Sequence, residues 1–125
     1  MLAVVLNGEL KIQYDRAKEL PEHQRLYLEK MDRKMDAGFE LNGAAVSSPT
    51  PQDRARFVAG QLVQAMFAEN EPLVAATLSY LAVRLPGLQQ VKIQMNGSDA
   101  VTDLVFDEPY VAQSVVKFVD KSKMN

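Results

Sequence analysis

At 125 residues and 47% hydrophobic, the chain is long enough to bury one sizeable core and too short for two ordinary domains, so residues 1–125 are expected to form a single domain. Its 14 basic and 16 acidic residues leave a formal charge of -2, which gives no global field toward phosphate backbones or acidic membranes. The absence of cysteine excludes disulfides, thiolate catalysis and cysteine-ligated metals, and it points to a reducing compartment, with the cytoplasm as the expected location.

Leu2-Ala3-Val4-Val5-Leu6 is apolar on both faces, as a central strand is; it has no basic residues ahead of it and is too short for a signal-peptide core. Asn7-Gly8 follows, and Asn-Gly is the strongest short-range hairpin signal because a type I′ turn needs positive φ at both central positions. Glu9 to Tyr14 then alternates, with Leu10, Ile12 and Tyr14 expected on one face of a half-buried second strand. Pro21 suits the start of a helix over about 21–37, with Gly38 as its stop. Tyr27, Leu28, Met31 and Met35 form one stripe on that helix, and Glu22, Arg25, Glu29 and Arg33 mark its wet side.

Phe39 to Pro49 holds the second Asn-Gly pair, at Asn42-Gly43, and reads as a loop with room for a short hairpin. Thr50, Pro51 and Asp53 resemble a capping box opening a helix over about 51–68, whose apolar face collects Ala55, Val58, Ala59, Leu62, Val63, Ala65 and Met66. Asn70 caps a third helix, about 71–85, which ends before Pro86. From Leu73 to Leu85 its only charge is Arg84, so it must be covered on nearly all sides. A second hairpin occupies about 90–106, with Val91, Ile93 and Met95 alternating up to Asn96-Gly97 and a loop expected to be longer than the minimum. Tyr110 to Val119 carries Val111, Val115, Phe118 and Val119 at helical spacing behind Pro109, which suggests a fourth helix over about 109–120. The expected architecture is α+β: two antiparallel hairpins, 2–14 and 90–106, joined in one sheet with three to four helices packed on it.

No motif in the chain licenses a reaction. Glu29, Asp32 and Asp36 lie along one helical strip as hard-cation ligands would, but charged strips on helices mostly mark solvated faces. His23 lacks a local partner, Ser47 and Ser48 lack a nucleophile-elbow context, and Asn96-Gly97-Ser98-Asp99 lacks the helix that a phosphate loop needs. No catalytic, cofactor-binding or metal residue is therefore assigned, and no cofactor is expected. Thr77, Tyr80 and Arg84 form the one polar stripe on the third helix, suited either to a small pocket or to satisfying partners inside the fold. Tyr27, Met31, Met35 and Phe57 are apolar helix residues suited to contact with another protein.

Three functions follow in order. The first is a small cytoplasmic interaction or regulatory protein without catalytic activity, self-associating as a homodimer or binding another protein, with no membrane span. The second is a small-molecule binder or enzyme with a pocket near Tyr80 and Arg84. The third, disfavoured, is a nucleic-acid accessory protein using Arg54 and Arg56, since Leu73 to Leu85 offers almost no side chains for reading base edges.

Overall fold

The computed structural model describes residues 1–17, 19–41 and 43–111. Strands β1 (Leu2–Leu6) and β2 (Glu9–Tyr14) come first, then helix α1 (Glu22–Asp36) and the short strands β3 (Phe39–Leu41) and β4 (Ala44–Val46). Helices α2 (Pro51–Phe67) and α3 (Glu71–Arg84) follow, and strands β5 (Gln90–Asn96) and β6 (Asp99–Val105) close the order. The chain is α+β as expected. Both long hairpins enter one four-stranded sheet in the order β2-β1-β5-β6, whose central pair β1·β5 is parallel, while β3 and β4 form a separate two-stranded sheet.

Local chemistry sets these elements. Asn7 and Gly8 adopt φ of 49° and 84°, the type I′ pattern, and Leu6 pairs with Glu9 across them. The α2 capping box is complete: Asp53 N–H donates to Thr50 Oγ1 at 3.1 Å and Thr50 N–H donates to Asp53 Oδ2 at 3.0 Å. Asn70 caps α3 by accepting from Leu73 N–H at 3.3 Å. Between these helices Glu69 stands at φ 56°, where its N–H reaches Met66 O and the Asn70 N–H reaches Ala65 O, a Schellman closure with glutamate in the position glycine favours. Gly38 ends α1 at φ 94°, and a Cβ there would lie 2.8 Å from the Val46 carbonyl oxygen, so α1 can meet the β3–β4 hairpin only through a glycine.

The core lies between the sheet and the helices. Leu2, Val4, Val91 and Ile93 meet Val58 and Leu62 of α2 and Leu78 and Leu81 of α3, all buried. At about 1.5–3 kcal/mol for each fully buried aliphatic side chain, this cluster is the main stabiliser of the fold. Helix α1 contributes only Leu28 and Met35 as buried residues. Arg16, in the stretch after β2, donates to the carbonyls of Ala82 at 3.3 Å and Leu85 at 3.0 Å, placing a cation at the C-terminal end of α3 where the helix dipole favours it.

Two details differ from the sequence expectation, and a third lies almost wholly outside the described residues. Val4 pairs with Ile12 but Val5 with Leu10, so a bulge at Lys11 shifts the alternation. Leu10 therefore shares Val5's side of the sheet, and only Ile12 and Tyr14 pack against the core. The last hairpin is tighter than expected: Asn96 pairs with Asp99, leaving the two-residue loop Gly97-Ser98. Gly97 at φ 66°, with no positive φ at Ser98, is the type II′ pattern, which needs glycine only at the first central position. At the end of the chain, 109–111 is not helical, and the remainder of the suggested helix over 109–120 lies outside the described residues.

Candidate functional site

Three helices bring their polar side chains to one place. Asp32 and Asp36 stand one turn apart on α1, Arg54 lies in the first turns of α2, and Tyr80 and Arg84 stand one turn apart on α3. Asp32 is the hub. Its Oδ1 accepts from the Tyr80 hydroxyl and from Arg54 Nη1 at 3.3 Å, its Oδ2 accepts from Arg84 Nε at 2.9 Å, and its backbone carbonyl accepts from Arg54 Nη1 at 2.9 Å. Arg54 Nη2 donates to Asp36 Oδ1, and the Arg84 guanidinium carbon lies 5.6 Å from the centroid of the Tyr80 ring.

The charges balance, with two carboxylates against two guanidinium groups. Burial alone would raise the Asp32 carboxyl, but hydrogen bonds from Tyr80 and Arg84 and the charges of Arg84 and Arg54 outweigh it and hold the group below the usual carboxylate range. Burial, reinforced by the hydrogen bond to Asp32 and its charge, pushes the Tyr80 phenol far above its ordinary value. The hydrogen bond to Asp36 raises the Arg54 guanidinium further. A general acid or base works best with a pKa near the operating pH, and here both titrating groups are driven away from neutrality in opposite directions. The arrangement is suited to locking three helices together and poorly suited to moving protons.

The residues singled out from sequence fall in several places. Tyr80 and Arg84 join Asp32, Asp36 and Arg54 in this cluster; Thr77 does not, because its buried hydroxyl donates to the carbonyls of Leu73 at 2.8 Å and Val74 at 3.1 Å. Arg84 also borders a groove of about 780 Å³ with Arg16, Arg25 and Glu29, which Tyr80 does not line. Of the proposed contact residues, Met35 is buried, Met31 is half-buried, and Tyr27 lines a cleft between α1 and α3 together with His23. Phe57 is half-buried and stacks on Phe39 of β3, with ring centroids 4.4 Å apart. Arg56 is exposed on α2 and lines the groove beside β6. Among the described residues, no three metal-ligating side chains come together.

A second feature escaped the sequence. Strand β6 is an outer strand of the sheet, paired only with β5, and beside it runs a groove of about 1320 Å³ between α2, β3 and the last hairpin. Phe67, Val101 and Phe106 line it while being 57%, 56% and 46% exposed, and Phe57, Leu104 and Met95 form deeper parts. Exposed apolar residues gathered along an open strand edge are the features of a binding surface.

Against known proteins, a scan of family models, a search of curated proteins and a search of solved structures returned no match.

Proposed function

We propose that this protein is a small interaction module that works by binding rather than by chemistry and associates with a second copy of itself through β6. The observation that carries this reading is the contrast in pairing: the polar cluster on the helices is internally satisfied, whereas the β6 edge has no partner among the described residues. Because a two-residue loop joins β5 and β6, Asn96 and Asp99 face each other as a hydrogen-bonded pair. By the alternation of antiparallel ladders, Ala100, Thr102 and Leu104 then turn their N–H and C=O groups outward.

That edge is complementary to itself. An antiparallel two-fold pairing centred on Thr102 sets Thr102 opposite Thr102, Ala100 opposite Leu104, Val101 opposite Asp103 and Asp99 opposite Val105, so no aspartate faces another. A stable interface buries on the order of 1,200–2,000 Å² in total, more than one strand edge supplies, and Val101, Phe106 and Phe67 provide apolar surface beside it. The lack of cysteine fits a cytoplasmic setting. No helix among the described residues is long and apolar enough to cross a membrane.

Sedimentation equilibrium of the full chain tests the reading, with a dimer expected at micromolar concentration. Thr102→Pro removes an outward N–H and none of the bonds to β5, so it is expected to yield a folded monomer. A wild-type protein that stays monomeric at high concentration would overturn the self-association.

A further inference from the structure

The end of β2 with Asp15, the residues Glu19, Leu20 and Pro21, and the start of α3 border a groove of about 950 Å³. Its apolar wall includes Ile12, Leu20, Val74 and Leu78. Its rim carries four exposed carboxylates, Asp15, Glu19, Glu69 and Glu71, and no lysine, arginine or histidine lines it among the described residues. An acidic rim by itself says little, because such groups are content in water.

Ser79 supplies the second observation. It is only 6% exposed, and its hydroxyl has no hydrogen-bond partner among the described residues. It lines both this groove and the adjoining cleft of about 570 Å³ between α1 and α3, where the small residues Ala75 and Ala76 leave space. Buried hydroxyls are almost always paired, so one with no protein partner that faces a cavity takes its bond from the cavity, where a ligand's polar atom can replace water. Neither the helix-locking cluster nor the β6 edge uses it.

We propose that this groove binds a small organic cation, an ammonium head among the rim carboxylates with a hydrocarbon body on the apolar wall and a polar atom bonded to Ser79. The inference is independent of the pairing at β6, since the two surfaces share no residue. The chemistry selects charge and body together. Carboxylates with no counter-cation among the described residues favour a positive group, and the aliphatic wall favours an apolar attachment over a fully hydrated metal ion.

The test is a heteronuclear NMR titration of the full chain with 2-phenylethylamine, with 2-phenylethanol and phenylacetate as matched neutral and anionic probes. The amine is expected to shift amides of Leu20, Glu71 and Ser79 in a saturable way, with the alcohol weaker and the acid inert. Glu69→Gln and Glu71→Gln are each expected to weaken the amine about fivefold, the scale of a partly exposed ion pair. Ser79→Ala is expected to weaken it while leaving the melting temperature unchanged or higher, because deleting an unpaired buried hydroxyl removes a penalty. Equal binding of amine and alcohol, absence of saturable shifts with the amine, or a lowered melting temperature in Ser79→Ala would each overturn the proposal. Sedimentation of the same samples reads the β6 pairing separately, so failure of one reading is not mistaken for failure of the other.

Discussion

The helical layer and the β6 edge treat their polar groups in opposite ways. On the helices, Asp32 gathers donors from α2 and α3, and the two charges of each sign cancel within one cluster. On β6, every second residue turns its main-chain groups away from β5 with no partner among the described residues. A closed network holds elements in place and answers to mutation by losing stability. An open edge answers by losing association. The two regions can therefore be separated by asking which measurement each substitution moves.

The largest expected effect is at the hub. Asp32→Asn keeps the shape of the side chain but leaves Arg54 and Arg84 without the carboxylate they share. Breaking a buried pair costs about 3–5 kcal/mol; with Asp32 and Arg84 partly exposed, about 2–3 kcal/mol is expected from urea unfolding, with the sedimentation behaviour unchanged. The pH dependence carries the sign. The folded Asp32 carboxyl titrates lower than the unfolded one, so its contribution is present above about pH 4 and lost as pH falls through the folded value. Asp32→Asn is expected to flatten that acid limb.

Tyr80→Phe comes next, at about 1.5 kcal/mol for one hydrogen bond to a charged acceptor. Here the folded phenol titrates higher than the unfolded one, so its contribution is present below about pH 10 and lost as pH rises above that value. The variant is expected to lose the alkaline limb while keeping the acid one. Identical pH profiles for both variants would mean that the cluster does not act through these protonation states.

A stabilising change sharpens the same contrast. Glu69 holds a left-handed conformation at the end of α2, and glycine takes it without a Cβ conflict. Glu69→Gly is expected to raise stability by about 1 kcal/mol in the same urea assay, without altering sedimentation. Helical strain and edge pairing are then shown to be independent.

How much of this was legible in the sequence depends on the range of the interaction. The Asn7-Gly8 hairpin, the Thr50–Asp53 capping box and the Asn70 cap rest on residues within four positions of each other, and all were readable. The Lys11 bulge was not, because the alternation of Leu10, Ile12 and Tyr14 looks regular until β1 fixes the pairing. The minimal Gly97-Ser98 loop was missed because Asn96 to Ala100, polar and small, reads as a longer loop, whereas Asn96, Asp99 and Ala100 all enter the ladder once β5 and β6 pair. For the site, Asp32 with Asp36 and Tyr80 with Arg84 each stood out as a helical stripe. Nothing local joined them, since their contacts span 48 and 52 residues and Arg54 lies 22 residues beyond Asp32. The open edge was invisible for a related reason: strand order, not strand composition, decides which strand is outermost.

The smallest expected effect on stability tests the other half of the comparison. Val101 is 56% exposed on β6, and replacing it with lysine removes little buried surface, so Val101→Lys is expected to change the unfolding free energy by less than about 0.5 kcal/mol. In the proposed two-fold pairing Val101 is set opposite Asp103 of the second copy, so a lysine there would meet a carboxylate rather than another lysine. Attraction between those side chains works for pairing, whereas loss of apolar surface beside Phe67 and Phe106 works against it. An exposed cross-strand ion pair contributes at most about 1 kcal/mol and is screened by salt, while the apolar contact is not. Val101→Lys is therefore expected to dimerise with an affinity that falls as sodium chloride rises from 50 to 500 mM, and the wild type is expected to hold or gain affinity over the same range. Salt-independent pairing in the lysine variant would place the two-fold axis away from Thr102, and the register along β6 would have to shift.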